Sequence, residues 1–226
     1  MGGTMGVMRV KICCIQSREE AAVAVRYGAA AIGLVSAMPS GPGILPEDRI
    51  AAIAAGIPPG VASCLLTSRQ DAAAIIAQQR RYRVNTLQLC KRLQEGTYQE
   101  LRAALPGVHL MQVIHVTGAE ALHEAQAVAP HVDGIVLDSG RRDLPIQELG
   151  GTGRTHDWRI SAQICRVIQV PVFLAGGLDP TNVVAAIQQV RPYGVDVCSG
   201  LRTDGRLDEE KVRAFFVAIN LTNTVC

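Results

Sequence analysis

The chain has 226 residues, 48% of them hydrophobic and 4% aromatic, with a formal net charge of +2. That length suits one large α/β domain, its apolar content excludes a disordered or collagen-like chain, and its mixed surface without basic runs excludes a nucleic-acid partner. No apolar run approaches the ~20 residues of a membrane helix, and the seven cysteines form an odd set without a CxxC spacing. They are expected to be reduced thiols in a cytoplasmic protein.

Residues 1–8, MGGTMGVM, read as a leader, and residues 9–226 as a single barrel domain. The first strand, RVKICCI over 9–15, places Val10, Ile12 and Cys14 on one face and Lys11, Cys13 and Ile15 on the other. The apolar set suits a layer under helices, which leaves Cys14 as packing and turns Lys11 and Cys13 inward. Ser17 with Glu20 fits a capping box for the amphipathic stretch EEAAVAVRYGA.

Strand AAIGLV then leads into an irregular segment at 36–46, and GVASCLL and TLQLC follow, the latter turning Gln88 and Cys90 inward by parity. HLMQVIHV ends near His115, with Thr117 and Glu120 suggesting another capping box, and VDGIVLD ends at Asp138 before a second irregular segment at 140–156. VPVFLAGG precedes Asp179-Pro180, an N-cap with proline in the first turn, and YGVDVCSG carries Asp196 inward. Eight strand-helix pairs in series predict a (β/α)8 TIM barrel, an eight-stranded parallel ring with its active site at the C-terminal ends of the strands.

Four groups at that rim carry possible chemistry. A lone strand cysteine is more often inert packing, but Lys11 beside Cys13 would favour a thiolate that can act as base or nucleophile. Asp138 ends strand six, where barrel enzymes keep catalytic groups, so the two make an acid/base pair. Gly176, Gly177, Ser199 and Gly200 stand after strands seven and eight, where backbone N–H groups hold phosphate. His115, Cys90 and Cys198 have no metal-ligand spacing, and no metal site is expected.

Together the stretches VKICCI, GAAAIGLV, QLC, VLDS, GGTGRTHDW, LAGGLDPTNV and RPYGVDVCSGL resemble the phosphoribosylanthranilate isomerases, (β/α)8 enzymes of tryptophan biosynthesis, from about residue 9 to 220. The resemblance implies an Amadori rearrangement of a phosphorylated sugar-amine, with no cofactor, Cys13 as general base and Asp138 as general acid. It implies phosphate on Gly176, Gly177, Ser199 and Gly200; Lys11, Cys90 and Asp196, inward by parity, and Arg154, a candidate cation, are the expected substrate contacts. A monomer or homodimer is expected, without nucleic-acid or membrane partners.

Three positions depart from the family pattern. Cys14 replaces a glycine, Pro42 falls where an arginine binds the anthranilate carboxylate, and Cys90 replaces a histidine. Arg141, Arg142, Arg154 or Lys91 could supply the missing cation. Two alternatives stay open: an isomerase of a different phosphorylated amino-sugar, or a non-catalytic sugar-phosphate-binding barrel.

Overall fold

In a computed structural model that describes residues 7–140, 145, 147–151 and 153–222, all eight expected strands form. They are β1 (Arg9–Ile12), β2 (Ala31–Val35), β3 (Ala62–Thr67), β4 (Thr86–Leu89), β5 (His109–His115), β6 (Gly134–Asp138), β7 (Val172–Leu174) and β8 (Gly194–Val197). Each pairs in parallel with its sequence neighbour, and β1 closes on β8 with Lys11 opposite Asp196. A parallel ring buries both faces of its strands, and β2 and β6 are buried at every residue.

Eight helices alternate with the strands: α1 (Arg18–Arg26), α2 (Glu47–Ala54), α3 (Ala72–Tyr82), α4 (Tyr98–Ala104), α5 (Glu120–Val128), α6 (Trp158–Val167), α7 (Val183–Val190) and α8 (Glu209–Thr222). A hairpin of β9 (Arg202–Thr203) and β10 (Arg206–Leu207) leads into α8. Of the leader expected at 1–8, residues 1–6 lie outside the described residues. Among the described residues no helix is long and apolar enough to cross a membrane.

The helix starts vary in how closely they follow their signals. Ser17 accepts a bond from Glu20 N at the start of α1, the first half of a capping box, while the Glu20 carboxylate accepts from Gln16 N, one residue before the N-cap N–H that the full motif uses. Thr117 does not cap α5: its hydroxyl donates to Glu120 Oε1 and the N-cap is Ala119. Asp179 accepts from Thr181 N and Asn182 N and so caps a turn that precedes α7, whose own N-cap is Asn182.

Strand β1 is shorter than its apolar run, and this corrects the expected inside-outside pattern. Beyond Ile12 the chain leaves the ladder, and Cys14 takes a left-handed φ of 61°. The period-two alternation ends there, so Ile15 packs in the layer between barrel and helices with Val10 and Ile12. Cys13 and Cys14 both join the interior cluster with Val35, Leu66, Cys90 and Met111.

Candidate active site

A pocket opens at the C-terminal ends of the strands, and Cys13, Gln88, Cys90, Asp138 and Asp196 all line it. Cys13 follows β1 and is held by its own backbone, whose N–H donates to the Val197 carbonyl at 2.8 Å. Asp138 ends β6 and accepts from Ser139 N at 2.7 Å. Gly150, at φ 143°, lies so close that a Cβ there would fall 2.6 Å from the second carboxylate oxygen of Asp138. Only glycine lets the loop after β6 close over that oxygen.

Burial sets the ionisation of this pair. It pushes the Asp138 carboxyl up to about 6, against the bond from Ser139, with the charge of Asp196 adding to the rise. Burial also pushes the Cys13 thiol up to about 12, and the opposing pull of the Lys11 ammonium is too small to reverse it. The expectation that Lys11 makes Cys13 a ready thiolate is therefore corrected: the resting group is a thiol.

Lys11 is fully buried and donates to Asp196 Oδ2 at 2.7 Å across the β1–β8 seam. Burial alone would neutralise the lysine, but the adjacent carboxylate outweighs it and holds the ammonium charged. Lys11 therefore does not line the pocket as a substrate contact. It sits one layer below, where it also borders a cavity at the opposite mouth of the barrel. Lys11→Met strands the Asp196 carboxylate and is expected to destabilise the fold by roughly 3–5 kcal/mol, whereas Lys11→Met with Asp196→Leu recovers most of that loss. Urea denaturation of both variants checks this, and equal losses would mean the pair is not coupled.

Next to Asp138 in the ring, between β6 and β1, the turns after β7 and β8 meet. Gly176 and Gly177 have φ of 85° and 63°; a Cβ on the first would press on Ser139 and on the second against the backbone of Arg154 and Thr155. Gly200 is pressed against the Leu178 carbonyl, behind the pocket wall. Among the described residues no acceptor takes the N–H groups of Gly176, Gly177 or Ser199, which leaves them free for an anion.

Several expected residues are placed elsewhere. Arg154 is exposed and paired with Glu148, so it does not reach into the pocket, and Lys91 does not line it either. Arg141 and Arg142 lie outside the described residues. The cysteines are not all reduced, because Cys14 and Cys198 are joined as a disulfide with Cα atoms 6.0 Å apart. Their separation of 184 residues hid a proximity that only barrel closure creates. His115 is buried at the end of β5, and among the described residues no cluster of three or more His, Cys, Asp or Glu could hold a metal.

Of the two irregular segments expected at 36–46 and 140–156, residues 38–42 of the first and 147–151 of the second meet over the pocket. The Ser40 hydroxyl donates to the Gln147 carbonyl at 2.6 Å, and Pro42 lies against Gly151, both lining the opening with Met38 and Leu149. Gln88 Oε1 is buried without a hydrogen-bond partner among the described residues, on a side chain that lines the pocket.

The family model for N-(5'-phosphoribosyl)anthranilate (PRA) isomerase matches residues 10–218. The chain belongs to this family. Among curated relatives, an isomerase of Methanocella arvoryzae is 34% identical over 95% of this chain and 99% of its own length. N-(5'-phosphoribosyl)anthranilate isomerase 2 of Methanosarcina mazei is 36% identical over 92% of each. The solved isomerase of Thermotoga maritima superposes with a TM-score of 0.78 at 26% identity, covering 94% of this chain and 98% of that one. Another solved member, at 25% identity with a TM-score of 0.76 over 94% and 98%, is in complex with reduced 1-(o-carboxyphenylamino)-1-deoxyribulose 5-phosphate.

Proposed function

We propose that residues 9–226 form one catalytic domain that isomerises N-(5'-phosphoribosyl)anthranilate to 1-(o-carboxyphenylamino)-1-deoxyribulose 5-phosphate, an internal aldose-to-ketose shift within tryptophan biosynthesis. The observation that carries this reading is a carboxyl pushed up to about 6 at the end of β6 and a thiol after β1 in one pocket, with two glycine turns between them whose N–H groups no described residue accepts. In the proposed order, phosphate lies on Gly176, Gly177 and Ser199, with Gly200 shaping the turn behind them. Asp138 gives its proton to the ring oxygen, the furanose opens, and the nitrogen carries the resulting iminium charge.

Cys13 then removes the proton from carbon 2, and the electron pair of that bond neutralises the nitrogen and leaves an enol that tautomerises to the aminoketose. The iminium is the right partner for Cys13: a cation near a buried thiol favours its thiolate by direct attraction. Asp196, fixed by Lys11 through one oxygen, keeps Oδ1 unpaired for a sugar hydroxyl. The reaction needs no cofactor, and the protein is read as a cytoplasmic monomer or homodimer.

A second reading, an isomerase for another arylamine, is favoured by the mouth of the pocket. Pro42 and Cys90 line it, and among the described lining residues there is no arginine, lysine or histidine to pair with an aryl carboxylate. Turnover of phosphoribosylanthranilate, generated in situ and followed by loss of anthranilate fluorescence, separates the two. Turnover is the expected outcome. Its absence, in a protein that ribose 5-phosphate still stabilises thermally, would transfer the reading to a different aryl group.

A further inference from the structure

The Cys14–Cys198 bond lies at a mechanically sensitive place. Cys14 follows the proposed base Cys13, and Cys198 precedes Ser199 of the proposed phosphate turn, so the bond ties the two ends of the site across the β1–β8 seam. Cys14 is buried, whereas Cys198 is half-exposed, and both line the open pocket. A small oxidant entering the pocket therefore meets Cys198 first.

Cys14 also holds an unfavourable conformation. At φ 61° a non-glycine residue is disfavoured by roughly five- to thirtyfold, about 1–2 kcal/mol. Two contacts restrain it there besides the disulfide. Its carbonyl accepts from Arg202, which is itself paired with Glu20 at 3.0 Å, and its Cα and Cβ pack against Gly43. The disulfide is the only one of the three restraints that redox chemistry can remove.

We propose that Cys14 and Cys198 are a reversible thiol–disulfide site whose oxidised form holds Cys13 in its working position, and whose reduction lets Cys14 relax and slows turnover. The inference rests on the isomerase reading only for its activity readout. The chemistry balances with a low-molecular-weight disulfide as oxidant. The Cys198 thiolate attacks one of its sulfurs, forming a mixed disulfide and releasing one thiol; the Cys14 thiolate then attacks the Cys198 sulfur and releases the second. Two protein thiols are oxidised and one external disulfide is reduced to two thiols.

The test equilibrates the protein with glutathione disulfide or with dithiothreitol, then counts free thiols after denaturation and measures kcat. Expected are five free thiols of the seven when oxidised and seven when reduced, with kcat about fivefold lower in the reduced protein. Cys14→Gly adopts φ > 0 without strain, so it should keep the oxidised rate under both conditions, whereas Cys14→Ala should show the reduced rate under both. Seven thiols after oxidation, an unchanged kcat, or a Cys14→Gly protein that still responds to reductant would overturn the proposal.

The thiol count needs no substrate, so loss of two thiols in a protein inactive in both states defeats the phosphoribosylanthranilate reading and not the disulfide. In that case the rate at which iodoacetamide alkylates Cys13, mapped by mass, reads the same displacement. A difference of twofold or more between the two states supports the proposal, and equal rates reject it.

Discussion

Cys13→Ala is expected to lower kcat by roughly 10²- to 10⁴-fold, the range for loss of a general base, with KM changed by only a few-fold. The substituted side chain is small and the bond from its N–H to Val197 is a backbone bond, so the wall of the pocket keeps its shape. The pH profile distinguishes a lost base from a disturbed pocket. Turnover needs Cys13 as thiolate and Asp138 as acid, the reverse of their resting ionisation at about 12 and about 6. That gap leaves roughly one free molecule in 10⁶ in the productive arrangement between these two values.

Because one proton moves between the groups, this fraction does not change with pH across that interval. Below about 6 Asp138 is already protonated and the thiolate fraction falls tenfold per pH unit, so kcat/KM should follow. A plateau above 6 with an acid limb near 6 is the expected curve, and Cys13→Ala should flatten the limb. A profile that rises steadily between pH 7 and 9 would show that Cys13 titrates alone and that Asp138 is not its acid.

The ring itself was legible because each βα unit carries its own signals: β-branched runs, Ala-rich amphipathic stretches, and Ser17 capping α1 as its spacing implies. The placement of Cys13 and Asp138 at the pocket was legible for the same reason, since strand parity and a position at a strand end are local properties. Cys14 was not, because its left-handed φ arises where β1 leaves the ladder, and nothing in an apolar run marks that residue as the last to alternate. The Cys14–Cys198 and Lys11–Asp196 pairs are 184 and 185 residues apart, and they exist only because β1 closes on β8. Arg154 is paired with Glu148 six residues away and does not line the pocket, a local pairing that the motif GGTGRTHDW does not reveal.

Asp138→Asn should cost roughly 10²- to 10⁴-fold in kcat and at the same time stabilise the protein at pH 8. Asparagine keeps the shape and can still accept the Ser139 N–H, but it cannot donate a proton to the ring oxygen. The stability gain follows from linkage. The carboxyl rises from 3.8 unfolded to about 6 folded, so the folded state binds this proton more tightly. Its contribution is fully present below 3.8 and is lost as pH rises through about 6, where burying a carboxylate becomes a penalty. The span from 3.8 to about 6 corresponds to roughly 3 kcal/mol at pH 8, or about 6–12 °C in Tm for a chain of this size. Asparagine carries no such penalty, so the Tm advantage of Asp138→Asn should be full at pH 8, shrink between pH 6 and 4, and vanish below that. Thermal unfolding of both proteins across this range decides the matter. A variant no more stable than the parent at pH 8 would mean that the folded protein accommodates the Asp138 carboxylate without strain, and a carboxylate so accommodated is a poor proton donor to a ring oxygen at neutral pH.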